Sequence, residues 1–489
     1  MREIKFVDTT FRDGHASLWA EGMTTSMMLA VASDMDRIGF ECMDFMATSH
    51  FLKCVRELRE DPWQRIRLVS KKITRTPLSF MMHHSVTTFD LTPFSILKLW
   101  IERITANGIK RVQLMDPSND MNFRIPECVR YAKEVGLEVA QSLVYSFSPK
   151  HTDEYYTQKV KDAAKLGVDV IYLKDSGGLL TPDRIKTLVP IFLKHAAGIP
   201  VELHSHCTTG LAPLCYLDAI HLGIDTVHTA IPPLANGPAQ PSVINVANNL
   251  RSMGYAPAVD QEIIKEVSEK LTYIAKREGL PIGAPLEYDY GQYKHQIPGG
   301  VISNLKHQLS QLRILGRLDE VIEEVARVRE DFGCPIMVTP FSQFLVTQAT
   351  MNVVSGQRYQ QVIDELVKYA LGFWGEEASS SIAPDVKDKI LSLPKARELA
   401  GWEVPQPSIK EVRERIGGPG ISDEELLLRY IVQDENLIKA VKTAVPPTEY
   451  PIASKSLVAF IQALLRQKDL AEISIDKKDF SLRLKRALD

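Results

Sequence analysis

His204 and His206 stand one residue apart in PVELHSHCT, a run whose composition predicts an extended strand. Alternation along a strand sends both imidazoles to the same face. Two neutral imidazoles on one face can serve as a pair of ligands for a divalent metal. An H-x-H pair also arises by chance, so its weight depends on what else converges on it. Asp13, in DTTFRDGH just after the first candidate strand, is one such residue. Closing a barrel would bring the first strand against the eighth and within reach of the seventh, so a carboxylate and two imidazoles could meet at one mouth. Lys174, in YLKDSGGLLTP, ends an apolar strand, where a buried ammonium is costly. Its pKa falls, it pairs with an acid, or it is chemically modified; an ion pair with Asp175 is the simplest of these.

Other candidates have plainer readings beside the chemical one. Cys207 follows His206, and alternation turns it away from the imidazoles into the barrel wall. Asp116 and Asp120 in MDPSND could act as acid or base, or could cap the next helix. Asp225 and His228 have equally ordinary explanations near the eighth strand. Thr339 in VTPFSQ reads as the Thr-Pro signal that opens a helix.

The elements that must position these residues follow a regular pattern. Eight short apolar runs recur: IKFVDTT (4–10), FECMDFMAT (40–48), PLSFMMHH (77–84), RVQLMDPS (111–118), EVAQSLVYS (138–146), DVIYLKDSGG (169–178), PVELHSHCT (200–208) and IDTVHTAI (224–231). Helical periodicity fills the gaps, as in PFSILKLWIERITANG and TDEYYTQKVKDAAKLG, each closing on Gly. Eight alternations over about 250 residues predict an α/β fold of the (β/α)8 TIM-barrel type, whose active sites form at the C-terminal strand ends. A doubly wound sheet would ask for a Gly-rich phosphate turn after the first strand, and DTTFRDGH is not one.

From about residue 260 the pattern becomes long helices, DQEIIKEVSEKLTYIAKREG and RLDEVIEEVARVREDFG, interrupted by a QIPGG loop. The expected division is a barrel over 1–290, a mostly helical domain over 291–442, and a linker with a helix-hairpin tail over 443–489. The linker signal is TAVPPTEYP. In the tail, Leu457, Phe460, Ile461 and Leu464 have helical spacing. Ile473 and Ile475, then Phe480, Leu482 and Leu484, alternate about a DKKD turn.

Composition sets the outer limits. The 489 residues are 45% hydrophobic and 24% charged, within the range of soluble globular proteins. Lys plus Arg, 58, nearly balances Asp plus Glu, 61, for a net charge of -3. That balance supplies no electrostatic reason for a nucleic-acid or anionic-membrane partner. No run reaches the roughly 18 apolar residues of a membrane span, and MREIKFVDTT lacks the apolar core of a secretory signal. Six scattered cysteines (Cys42, Cys54, Cys128, Cys207, Cys215 and Cys334) read as reduced thiols. The expectation is a cytoplasmic protein.

Taken in order, DTTFRDGHASL, YLKDSGGLLTP, LHSHCTTG, QIPGGVISNL and VTPFSQFLVTQA resemble the carboxyltransferase subunits of biotin-dependent enzymes. That group includes the carboxyltransferase domain of pyruvate carboxylase, the oxaloacetate decarboxylase alpha subunit and the central subunit of transcarboxylase. The resemblance spans roughly residues 4 to 430. It implies a TIM barrel followed by a helical domain, usually as a homodimer. It also implies a divalent metal (Zn, Mn or Co) held by Asp13, His204, His206 and a carbamylated Lys174. By the same resemblance Thr339 shuttles a proton between biotin and the substrate enol, and Arg12 stands beside the metal Asp. Carbamylation would resolve the lysine problem, since it turns a buried cation into an anionic oxygen ligand.

Departures from the family pattern fall in the substrate pocket. RDGHASL replaces the family's RDAHQSL, so Ala16 stands where a Gln holds a 2-oxo acid. MMHHSV aligns with the family's LLRGQN, which puts His83 where an Arg binds the substrate carboxylate. Histidine lacks the bidentate guanidinium fork, and alanine offers no hydrogen bond. KDMAGLL has become KDSGGLL, and the biotin-pocket loop is altered around Thr87 to Asp90. With Asp116, His83 and Ala16 are the candidate substrate contacts, and the expected acceptor is not pyruvate or oxaloacetate bound in the usual way. The tail SLVAFIQALLRQKDLAEISIDKKDFSLRLKR resembles the leading segment of acetyl-CoA carboxylase biotin carrier proteins. No A-M-K-M biotinylation site occurs in the sequence. The expectation is therefore biotin on a separate carrier, with biotin carboxyl carrier and biotin carboxylase subunits as partners and the tail as a docking element. Two alternatives stand beside this: a biotin-independent metal-dependent lyase or aldol-type synthase of the same barrel superfamily, and a catalytically silent assembly subunit. The lysine before Asp175 and the QIPGG and VTP motifs argue against the former, and the retained metal residues against the latter.

Overall fold

A computed structural model of the chain describes residues 1–87, 90–444, 448–451, 472–477 and 480–485. Each of the eight apolar runs forms a strand: β1 (Glu3–Asp8), β2 (Cys42–Ala47), β3 (Leu78–His83), β4 (Arg111–Met115), β5 (Glu138–Val144), β6 (Val170–Asp175), β7 (Val201–Ser205) and β8 (Thr226–Thr229). They pair in parallel in sequence order, and β1 pairs with both β8 and β2, so the sheet closes into a barrel. Strand ends carry the chemistry because closure brings side chains from non-neighbouring strands into one cross-section. The short β9 (Ala256–Pro257) adds to the outer side of β1.

Helices between the strands start where the sequence provides caps. Thr152 accepts from the backbone of Tyr155 at the head of Asp153–Lys165, and Thr181 from that of Arg184 at the head of Pro182–His195. Gln261–Glu278 starts on the Asp260 carboxylate and stops at Gly279, whose φ of 66° is the left-handed turn that glycine adopts without strain. Ile264, Val267, Leu271 and Ile274 of this helix are buried in the barrel's apolar cluster, so the helical change of character near residue 260 begins while the chain still belongs to the barrel.

Beyond the barrel, a second apolar core gathers residues from Ile297 to Ala396, built largely on Leu318–Asp331 and Phe341–Ser355. The expected QIPGG loop is short, because the helix Gly299–Gln311 starts inside it, directly after Pro298. The chain then returns: Val412, Leu426, Leu427, Ile438 and Val441, from helices between residues 409 and 443, are buried in the barrel's own cluster. Trp63 Nε1 donates to the Glu424 carbonyl at 3.1 Å, tying this return to the first half of the barrel. A third, small cluster joins Ile336 and Val338 to Met115 and Val144 at the ends of β4 and β5. It holds the segment leading to Thr339 against the barrel mouth.

In the tail, β10 (Glu472–Lys477) and β11 (Phe480–Lys485) form the antiparallel hairpin expected there, with Ile473 opposite Leu484 and Ile475 opposite Leu482. The helix expected around Leu457, Phe460, Ile461 and Leu464 lies outside the described residues. No helix among the described residues is long and apolar enough to cross a membrane.

Candidate active site at the barrel mouth

The turn Thr10–Gly14 after β1 is buried throughout and carries Arg12 and Asp13 into the barrel mouth. Alternation on β7 brings His204 and His206 to the same place, as expected. Asp13 Oδ2 lies 3.1 Å from His204 Nε2 and 3.3 Å from His206 Nε2. Among the described residues this trio is the one group of His, Cys, Asp and Glu side chains able to share a metal ion. Cys207 is buried outside it and gives its backbone N–H to the Ala239 carbonyl.

Arg12 bridges two carboxylates. Its Nη1 is 3.0 Å from Asp13, and its Nε donates to Asp44 at 2.6 Å. Burial is the largest influence and works to raise the Asp13 carboxyl, but the Arg12 guanidinium, His206 and His204 together outweigh it and hold the group well below the usual carboxylate range. Asp44 was absent from the expected set, although a lone carboxylate in the wholly buried strand CMDFMA is a visible signal.

Lys174 does not pair with Asp175. Consecutive residues of β6 face opposite ways. Asp175 accepts the backbone N–H groups of Leu179 and Leu180, at 2.8 and 2.9 Å, and the Ser205 hydroxyl at 2.7 Å. Lys174 is left buried with no hydrogen-bond partner at Nζ, in register with His204 on the next strand. Burial and the neighbouring Arg12 charge bring its amine down to about 8, against the pull of Asp13 and Asp44. A buried, unpartnered amine of that basicity spends a substantial part of its time neutral and nucleophilic near pH 8.

Two groups hold the second histidine. His206 Nδ1 is 2.6 Å from the Pro238 carbonyl, which only accepts, so Nδ1 carries a proton; in the neutral ring it is then the Nε2 lone pair that faces Asp13. Gln240 places its side-chain amide 3.0 Å from His206 Nε2 and 3.3 Å from His204 Nε2. Rotating that amide by half a turn would exchange its NH2 for an oxygen at the same place. A glutamine in a Pro- and Gly-rich loop carries no sequence signal of its own, so Gln240 becomes recognisable only in the fold.

The candidate substrate residues differ in how firmly they are held. His83, at the end of β3, has no partner for Nδ1; burial, with His84, Lys174 and Arg12 nearby, pushes its imidazole down to about 3, so it is neutral. Ala16 is half-buried on the short helix His15–Trp19. Asp116 is fully buried, and one of its oxygens accepts the backbone N–H groups of Ser118 and Asp120, both at 2.8 Å. It thus organises its own turn rather than capping a helix, and its other oxygen lies 3.1 Å from His84 Nε2. Thr339 stands one residue before the cap of Phe341–Ser355, and its hydroxyl accepts from Gln343 at 3.1 Å. A separate cavity of about 470 Å³, lined by Tyr145, Phe147, Arg184, Tyr288, Tyr290 and Tyr293 among others, contains none of these residues.

Comparison with known proteins bears on the whole architecture. Residues 3–271 match the HMGL-like family and residues 293–479 the conserved carboxylase domain. A pyruvate carboxylase subunit of Methanocaldococcus jannaschii is 34% identical over 444 residues, covering 90% of this chain and 78% of that protein. The 2-oxoglutarate carboxylase large subunit of Hydrogenobacter thermophilus is 29% identical, covering 87% of this chain and 66% of that protein. The carboxyl transferase domain of Rhizobium etli pyruvate carboxylase with 3-bromopyruvate superposes with a TM-score of 0.82 at 23% identity, covering 92% of this chain and 80% of that one. This last likeness is one of fold.

Proposed function

The chain belongs to the biotin-dependent carboxyltransferase family, and from that premise we propose that it moves a carboxyl group between carboxybiotin on a carrier and an enolisable small acceptor at a divalent metal site. Asp13, His204, His206 and a carbamylated Lys174 would hold the metal. The observation that carries this reading is the meeting of acceptors. The Asp13 carboxylate faces the Nε2 lone pair of His206 at 3.3 Å, with His204 Nε2 beside it at 3.1 Å. Acceptors converging in a buried site suit a cation between them, in the place now served by the Gln240 NH2 and the Arg12 guanidinium. The donor set, one carboxylate and two imidazoles, suits zinc, manganese or cobalt.

The lysine supports the same reading. Its neutral amine can attack CO2, forming an N–C bond and losing one proton, and the product carboxylate replaces a stranded cation with an anionic oxygen. When bound, the metal supplies Lewis acidity for the enolate oxygen of the acceptor. The remaining work falls to the chain. Arg12 holds Asp13 in place from Asp44. The Thr339 hydroxyl gives its proton to the biotin ureido nitrogen freed of its carboxyl group and takes one from the acceptor α-carbon, so it ends as it began. Ile336 and Val338, packed on Met115 and Val144, keep water from this side of the mouth.

The acceptor is proposed to differ from pyruvate held by a guanidinium. A neutral His83 gives one N–H in place of an arginine fork, and Ala16 gives none. Partners are proposed to be a biotin carrier and a biotin carboxylase subunit, with the segment from residue 452 onward contributing to docking.

The test is transfer from a carboxylated biotin carrier co-purified with the chain, screened over enolisable acids and thioesters. The expected result is acceptor-dependent loss of the label from biotin. Carbon–carbon cleavage or condensation that needs no biotin would favour the lyase or synthase reading instead. Deleting residues 452–489 is expected to reduce carrier co-purification, and unchanged recovery would remove the docking role.

A further inference from the structure

Beneath the His204 imidazole, a buried row of polar groups takes no part in the transfer chemistry. His204 Nδ1 lies 3.2 Å from His228 Nδ1, His228 Nε2 lies 2.9 Å from Glu202 Oε2, and the same oxygen lies 2.8 Å from Arg111 Nη2. Glu202 and His204 share the inner face of β7, His228 comes from β8 and Arg111 from β4. All four side chains are buried. The His228 ring is further held by stacking on Tyr172, with ring centres 5.3 Å apart.

Donor and acceptor bookkeeping gives this row one direction. Glu202, ionised beside the Arg111 guanidinium, can only accept, so His228 must donate through Nε2. Arg111 already neutralises Glu202 at the very oxygen His228 uses, and a second positive charge there would stand against the first. A neutral His228 then has a lone pair at Nδ1, and His204 must donate to it through its own Nδ1. His204 Nε2 is left with its lone pair turned toward Asp13. Reversing the row would set an imidazole lone pair against the Glu202 carboxylate at 2.9 Å. We propose that Arg111, Glu202 and His228 are positioning residues for the metal site, fixing His204 in the tautomer whose Nε2 lone pair accepts a cation. This rests on the metal reading of Asp13, His204 and His206. It explains why an arginine and a glutamate occupy an interior that a barrel ordinarily fills with branched apolar side chains.

The test separates the acceptor from the ring. In the full chain, Zn²⁺ affinity is measured by chelator competition and the ligand field by the Co²⁺ absorption spectrum. His228→Phe keeps an aromatic ring and removes the acceptor; it is expected to weaken Zn²⁺ binding on the order of 10- to 100-fold and to shift the Co²⁺ bands. His228→Gln removes the ring but offers an amide oxygen to His204, and is expected to recover most of that loss. The opposite order, with Phe binding like the native chain and Gln weakened, would show that packing alone matters and overturn the proposal. The native chain needs no substitution to report the same thing. Labelled with ¹⁵N-histidine and loaded with Zn²⁺, it should show protons on His204 Nδ1 and His228 Nε2, and the other tautomer at either ring would overturn the proposal. A native chain that binds neither ion defeats the metal reading itself. A native chain that binds both, with His228→Phe unchanged in affinity and spectrum, defeats only the positioning role.

Discussion

Around β1 and β7 the barrel mouth is crowded with polar and charged groups, and neighbours fix three of the side chains there: Arg12 spans Asp13 and Asp44, the Pro238 carbonyl orients His206, and His228 backs His204. Around β3 and β4 the strand ends instead carry Met81, Met115 and a neutral His83 with an unpartnered nitrogen. The first side is organised before anything binds, whereas the second leaves hydrogen-bonding capacity open. Groups that must stabilise developing charge gain from being fixed beforehand. Groups that select an acceptor can vary between relatives that share the chemistry. The two sides therefore should respond differently to substitution.

The largest effect is expected on the charged side. Asp13→Asn removes the anion that the two imidazoles face, and should lower carboxyl transfer on the order of 10³-fold with loss of bound metal, measured by metal analysis alongside turnover. Comparable metal content and activity in this variant would erase the distinction between the sides. Next comes Thr339→Ala, expected to cost on the order of 10²-fold in transfer to the acceptor while leaving metal content unchanged. A loss of metal there would place Thr339 with the ligands instead. The smallest effect is expected on the open side. Ala16→Gln with His83→Arg restores an amide and a guanidinium fork, and should raise kcat/KM for 2-oxo acids by about 10-fold with little change in metal affinity. No gain would mean that other loops choose the acceptor.

The sequence carried the fold well for a physical reason. Strands buried on both faces read as apolar runs, and all eight runs became barrel strands. His204, His206 and Asp13 were also legible, because alternation and barrel closure are rules of geometry that need no partner to be known. The same alternation should have ruled out the Lys174–Asp175 pair, as it did a ligand role for Cys207. Asp44 is visible as a lone carboxylate in an apolar strand, but its pairing with Arg12 is not, and Glu202, His228 and Gln240 likewise gain their roles from residues on distant strands or loops. Nor does an amphipathic pattern say which core a helix will cover: Leu426, Leu427 and Val441 look like the helical region's own residues and pack on the barrel instead.

A crystal structure of the purified chain, recorded at the metal's absorption edge in bicarbonate buffer, tests the central claim most directly. The expected result is an anomalous peak bounded by Asp13, His204 and His206, with added density on Lys174 Nζ reaching the same ion. A metal-free cluster with a bare amine at Lys174 would contradict it.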